Sequence, residues 1–434
     1  MSDRTDLVVD VFQDAFAPLM EASPKAFRAK YRKMAADPHA FYRGSACLFY
    51  ADVTERDDPW ADERGGAIWI HGDLHVENFG TYLGADGRLA FDVNDFDEAY
   101  LGHFTWDLQR FAASLALVGW QKALPEDDVR RLVGHYLESY LEQVDHYRES
   151  PDDDDFGLHL DNTEGPVLAA LEKARGIKRA DLLDGMTHVE DGARVFTDSS
   201  SVRRLDAVEQ QQVRKAFTGY LETIPESKRF DRELFYDLRD VVGKSGFGIG
   251  SAGLPAYNLL LEGYSQALDN DVVLSMKQAN VPALSRFVDS EAVSRYFDHE
   301  GHRTAVSQRA LQANTDPLLG HAEIGGVGYV VAEISPYEVD LEWGDLTEPE
   351  DIEAVVGLLG RATAKVHCAS DEDSDQDLVD FQVEEAIAAS LEGRREEFVD
   401  DVTAFGIDYA ATVREDHALF VDAFRSGRIG VTAT

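Results

Sequence analysis

The sequence predicts an α+β protein of two lobes, a large helical one and a small one built on an antiparallel sheet. Three observations carry this. Apolar residues recur at three- and four-residue spacing near both ends of the chain. Between about residues 238 and 335 the texture changes to short apolar runs separated by glycine-rich and acidic stretches. The 434 residues, 44% of them apolar, can bury one sizeable core or two. The division reads as residues 1–237 for a helical lobe, 238–340 for a β-rich lobe, and 341–434 for helices that complete the first.

The elements follow in order. The first 60 residues read as helical, with Leu7, Val11, Phe12, Phe16 and Leu19 on one stripe. Two short strands follow, Ala67 to Ile70 and Leu89 to Val93, each ending in a polar cluster. Leu108, Phe111, Ala112, Leu115 and Val118 restore the helical period, which continues past Tyr140. Pro151 to Gly165, with four consecutive aspartates, reads as a solvated loop. The glycine-rich stretch Gly243 to Gly253 leads into strand candidates Tyr257 to Leu261 and Val272 to Met276, the latter running into Lys277. A helix over about Glu300 to Ala313 precedes strand candidates Leu318 to Ile324 and Gly328 to Ile334. From Pro349 the chain is helical again, interrupted by the acidic loop Asp371 to Asp377.

Charge narrows the partners. Lysine and arginine total 41 against 82 acidic residues, a net charge of −41. A field of that sign excludes nonspecific attraction to nucleic acid or an anionic membrane surface. The 49 Asp and 33 Glu, with 30 Arg but only 11 Lys, resemble the usage of cytosolic proteins from salt-accumulating microbes. No apolar run is long enough for a membrane span, and the first residues lack the pattern of a secretory leader. Cys47 and Cys368 alone provide neither a disulfide framework nor a cysteine zinc cluster. The expected location is cytoplasmic; the sequence carries no mark of oligomeric state.

The strongest local signal is His71-Gly72-Asp73-Leu74-His75-Val76-Glu77-Asn78-Phe79-Gly80, placed at a strand end. A second acidic strand end follows, with Asp92, Asp95 and Asp97. An Asp, an Asn five residues later and an Asp after the next strand suit phosphoryl transfer. One carboxylate takes the proton of an acceptor hydroxyl, while an amide and another carboxylate hold magnesium, which prefers oxygen ligands. His71 and His75 with Asp73 also fit a metal-dependent phosphohydrolase of His-x-Asp-x-His type. In the glycine-rich stretch, Gly248, Gly250, Ser251 and Gly253 would let backbone amides approach phosphates. A strand rather than a helix follows, which argues against a dinucleotide fold.

The loop pattern resembles the catalytic and metal loops of aminoglycoside-phosphotransferase-like kinases: His-Gly-Asp-Leu-His, then Asn, then Asp, then an Asp-Leu pair matched by Asp107-Leu108. The resemblance implies Asp73 as the catalytic residue and Asn78 as a metal ligand. Counting back twelve from Asp107 it implies Asp95 as the second metal ligand, with Asp92 the competitor and Asp97 a weaker one. Lys277 becomes the ligand of the ATP phosphates. Asp107 would cap its helix and anchor the loop, His71 and His75 would support it, and Glu300 is the loosely placed candidate to pair Lys277. Arg303 and Gln308 share that helix and could orient phosphates or Lys277. The order of parts is inverted, however. Gly360 to His367 resembles the helix that precedes the catalytic loop in such enzymes, yet lies near residue 365. The implied fold is therefore kinase-like and circularly permuted.

Over the whole chain the resemblance is to the domain-of-unknown-function 2252 family. It rests on Phe41 to Ser45, His71 to Gly80, Phe91 to Ala113, Val241 to Gly253, Met276 to Ala279, Gln308 to Gln312 and Gly360 to His367. The expected activity is an ATP- and magnesium-dependent phosphotransferase whose partners are a nucleotide and a small-molecule acceptor. A nucleotidyltransferase, a metal-dependent phosphohydrolase and a nucleotide-binding pseudokinase or adaptor are the alternatives.

Overall fold

The computed structural model describes residues 4–150, 156–230, 233–244, 254–288, 290–372, 374 and 376–430. The chain opens with four helices, α1 (Arg4–Ala22), α2 (Pro24–Met34), α3 (Pro38–Arg43) and α4 (Ala46–Val53). Asp37 caps α3 by accepting the Ala40 amide, with Pro38 at the first helical position. Four short strands follow: β1 (Ile68–Ile70), β2 (Phe79–Leu83), β3 (Leu89–Val93) and β4 (Tyr100–Gly102). They form two antiparallel pairs, β1 with β4 and β2 with β3. Then come α5 (Phe104–Gln121), α6 (Glu126–Glu149), α7 (Gly165–Arg175) and α8 (Arg179–Met186).

The sheet region begins earlier than the sequence predicts. A small hairpin, β5 (Thr187–Glu190) and β6 (Ala193–Phe196), and the short β7 (Val202–Arg203) precede helix α9 (Ala207–Thr223). After these run β8 (Leu238–Lys244), β9 (Ala256–Leu261), β10 (Val272–Gln278), α10 (Glu291–Tyr296), α11 (Glu300–Leu311), β11 (Gly320–Ile324) and β12 (Val327–Glu333). Helices α12 (Pro349–Cys368), α13 (Val383–Ser390) and α14 (Arg395–Arg425) complete the chain. The six-stranded sheet has the order β11-β12-β10-β9-β8-β7, antiparallel throughout.

Strand β9 is buried at every position, so its run Ala-Tyr-Asn-Leu-Leu-Leu does not alternate. Both faces of the sheet are covered. Tyr257, Leu259 and Leu261 pack with Val213, Phe217 and Tyr220 of α9. Leu260, Val242 and Val273 pack on the other side with Leu183 of α8 and Phe196 of β6. A strand buried on both faces needs apolar residues on both, which explains the continuous run. Helix α9 thus packs on the sheet, although a division at residue 238 assigns it to the helical lobe.

A separate, larger core joins the helices from both ends of the chain. Phe12 of α1, Phe41 of α3 and Phe420 of α14 meet there with ring centroids 5.1–6.0 Å apart. Phe111 of α5 stacks on Tyr136 of α6 at 3.9 Å. Arg4 fastens α1 to α14 and α4, donating to Asp416 at 2.6 Å and to Asp52 at 2.6 Å. The result is a mixed α/β protein: a helical body with two small strand pairs, and a six-stranded sheet with its own helices. Among the described residues, no helix is long and apolar enough to cross a membrane. Cys47 and Cys368 are both buried and are not joined in a disulfide.

Candidate functional site

Strand β1 carries the chain into His71-Gly72-Asp73. Gly72 has φ +81°, and a Cβ there would stand 2.1 Å from the Glu98 carbonyl oxygen, so only glycine fits this turn. Asp107, fully buried in the first turn of α5, accepts the His71 amide at 2.7 Å and the Gly72 amide at 3.0 Å. It also meets His367 of α12 at 3.3 Å. The cap position of α5 is His103, so Asp107 anchors the loop rather than capping its own helix. The His71 ring is committed at both nitrogens. Its Nε2 donates to the Asn94 carbonyl at 2.8 Å, which leaves Nδ1 to accept the Asp73 amide at 3.3 Å.

Asp73 itself is held by Arg110, a fully buried guanidinium whose Nε donates to its Oδ1 at 2.7 Å. Burial raises the Asp73 pKa, and the neighbouring Arg110 charge offsets this only in part. His75 lies with Nε2 4.0 Å from Asp73, and burial followed by the Arg43 charge depresses its pKa well below the usual value, keeping it neutral. Asn78 is buried and donates its Nδ2 to the Asp73 carbonyl at 2.9 Å; it is not among the residues lining the cavities below.

Past β3 the chain turns sharply. Asp95 adopts φ +58°, a left-handed conformation that aspartate tolerates better than most residues. Its carboxylate is open to solvent, yet the surrounding protein withdraws enough water that, with Asp97 beside it, its pKa is raised. Asp97 forms an ion pair with Lys277 of β10. Burial alone would lower the Lys277 pKa, but Asp97 and Asp95 hold it above the usual lysine value. Glu98 accepts the Asn280 side-chain amide at 3.2 Å and the Ala283 backbone amide; burial pushes its carboxyl up to about 7. Arg303, almost fully buried on α11, binds the carbonyls of Asp97 at 2.8 Å and Asn280 at 2.9 Å. One side chain thus ties the acidic turn to the segment after β10.

Two cavities share the wall made by Asp95 and Asp97. The larger, about 350 Å³, lies between the acidic turn and the sheet and is lined by Lys277, Ser275, Gln308 and Gln312 among others. The smaller, about 50 Å³, lies on the other side, and Asp73 and Glu98 line it.

Asp73, Asp95 and Lys277 therefore gather in one place, as the sequence leads one to expect. Other assignments need correction. Glu300 pairs with Arg303 at 2.6 Å, and Lys277 takes Asp97 as its partner instead. Arg303 is spent on backbone carbonyls and Glu300, so it neither orients Lys277 nor stands free for phosphates. Asp92, the competing metal candidate, is buried against Lys365 of α12 and lies off both cavity walls. His71 and His75 do not offer a His-x-Asp-x-His metal set, because both His71 ring nitrogens are occupied. Among the described residues, no group of three or more His, Cys, Asp or Glu is arranged to hold a metal ion. Gly248, Gly250, Ser251 and Gly253 lie outside the described residues.

Arg110 was not legible as a site residue. Its one signal is the three-residue spacing from Asp107, which puts both on one face of α5.

Comparison with known proteins gives one match. A family described as an uncharacterized protein conserved in bacteria (DUF2252) matches residues 22–423. No curated protein and no solved structure matches.

Proposed function

The chain belongs to the DUF2252 family, and from that premise we propose that it is an ATP- and magnesium-dependent phosphotransferase acting on a small-molecule acceptor. One observation carries the reading. Asp73, Asp95 and the Asp97–Lys277 pair come from stretches about 200 residues apart in sequence, yet border two cavities that share a wall. The larger cavity takes the nucleotide, with Lys277 leaving Asp97 for the phosphates. The smaller takes the acceptor, beside Asp73.

The donor set fits magnesium. Asp95 and Asp97 offer carboxylate oxygens at the shared wall, and this ion keeps several of its waters. Asp95 would hold it, with Asp97 as a further carboxylate; Asn78, off both cavity walls, would act only by steadying the loop through the Asp73 carbonyl. When bound, magnesium neutralises charge on the phosphates. The acceptor oxygen bonds to the γ-phosphorus as the bond to the β-phosphate bridging oxygen breaks, and its proton passes to Asp73. A carboxylate whose pKa burial has raised is a better base for that proton. Arg110 keeps Asp73 in place, and Asp107 with His71 fixes the loop.

The reading extends to a kinase-like, circularly permuted arrangement. Its support is α12, whose Lys365 and His367 dock on Asp92 and Asp107, so the helix expected before the catalytic loop lies against it.

Calorimetry with ATP, with and without magnesium, and product analysis with hydroxyl acceptors test the proposal. Magnesium-dependent binding and ADP release are expected. In Asp73→Asn, turnover should fall by roughly 10²–10⁴ with nucleotide affinity little changed. Binding without turnover, pyrophosphate as product, or an unaffected Asp73→Asn variant would overturn it.

A further inference from the structure

We propose that the smaller cavity is an oxyanion pocket, in which Lys30 and Arg43 hold a carboxylate or phosphate carried by the acceptor. The inference rests on the phosphotransferase reading for the word acceptor, but its physical basis is independent of that reading.

Lys30, on α2, lines the cavity and is 4% exposed. Its ammonium sits 4.0 Å from the Phe16 ring centroid and 5.6 Å from that of Phe27. Among the described residues, none gives it a hydrogen bond or an ion pair. Arg43, at the end of α3, lines the same cavity. Its guanidinium reaches Glu77 through Nη1, while its Nε is buried with no hydrogen-bond partner among the described residues. A third cation, Arg286, also lines the space but is already engaged, donating to the carbonyls of Asp14 at 3.2 Å and Ala15 at 2.9 Å.

Asp73, Asp95, Asp97 and Glu98 line the same cavity, but none of them bonds Lys30, and the charges of Glu98 and Asp73 offset only part of what burying the ammonium costs. Such a group persists where a ligand completes it. The Lys30 ammonium and the Arg43 Nε are two donors without hydrogen-bond partners among the described residues, although Arg43 keeps its ion pair with Glu77; an oxyanion would complete both. Its volume, about 50 Å³, suits a carboxylate or phosphate head group rather than a second nucleotide. Asp73 lines the same space. A hydroxyl on the same small molecule can therefore face Asp73 while the oxyanion meets Lys30.

The test uses the full chain at fixed ionic strength, titrated calorimetrically with inorganic phosphate, with tartrate, and with glycerol and glucosamine as neutral and cationic probes. Phosphate or tartrate should bind saturably, at least tenfold more weakly in Lys30→Met and in Arg43→Gln. Affinity should stay within about threefold in Lys30→Arg, which keeps the charge. The better of the two anions tells a sugar phosphate from a hydroxy acid. Absence of saturable anion binding, equal affinity in Lys30→Met, or preference for glucosamine would overturn the pocket. Titration with Mg-ATP separates the two proposals. If ATP binds and the anions ignore Lys30, the pocket falls alone. If the anions bind through Lys30 and ATP does not bind, the phosphotransferase reading falls and the oxyanion pocket stands.

Discussion

Lys30 and Arg110 are both buried cations near Asp73, and they differ in what surrounds the charge. Arg110 has a carboxylate against it, and its pKa is raised above the usual value. Lys30 has aromatic faces, and burial lowers its pKa to about 8. A lysine whose folded pKa lies below its unfolded value contributes stability only above the unfolded pKa, and that contribution is lost as pH falls to 8 and below. At pH 7 the wild-type chain therefore carries a penalty that Lys30→Met removes. The variant should be more stable by on the order of 1–3 kcal/mol at pH 7, and by less at pH 10. Thermal or urea unfolding at the two pH values measures this. A loss of stability at pH 7 would show that Lys30 is structural rather than retained for a ligand. Neither cation was legible in the sequence as part of the site, because each acts through tertiary proximity: Arg110 lies 37 residues from Asp73, and Lys30 lies 43. That Asp73 and Asp95 lie close together was legible because their relation is a short, fixed spacing around one strand pair.

Helix α12 shows how one element holds the site from behind. Lys365 reaches both the Asp92 carboxylate and the Leu311 carbonyl, and all three residues are buried. Removing one partner of such a pair leaves an uncompensated charge in the interior. Lys365→Met should cost about 3–5 kcal/mol, whereas Lys365→Met combined with Asp92→Leu should recover most of the loss. Urea unfolding of the single and double variants checks this; equal stability of the two would show that the pair contributes nothing as a pair. Most long elements, such as α5 and α12, were legible from their period. The short β4 and the β5–β6 hairpin were not: three or four residues are too few for an alternation to register, and these lack the continuous apolar run that marks the equally short β1. Strand β2 was hidden for another reason: its Phe79 and Gly80 complete the loop motif and read as loop.

The whole molecule carries a net charge of −41 over its helical body and its sheets. At about 0.1 M salt the screening length is roughly 10 Å, so neighbouring surface carboxylates repel; at molar salt it is about 3 Å. Self-repulsion disfavours the compact state. The midpoint of thermal unfolding should therefore rise strongly between about 0.1 M and 2 M KCl. A flat or falling midpoint would refute adaptation to high salt and leave the site untouched. At this scale the helix–sheet–helix sequence of parts was legible from texture alone. The assignment of α9 to the sheet was not, because an amphipathic helix does not declare which partner it covers.

The fastening of α1 to α14 also has a consequence in time. Arg4 waits for Asp416, and Gln13 for the Arg428 carbonyl, which it binds at 2.9 Å. At ribosomal speeds of ~5–20 residues per second, more than 400 residues take roughly 20–80 s to make. The six-stranded sheet needs nothing outside residues 202–333 for its strand pairing and can close well before then. Helix α1 is made about 400 residues before Phe420 and keeps Phe12 without that α14 partner for the whole interval. During that interval the nascent chain offers a chaperone an apolar surface that the finished protein never shows.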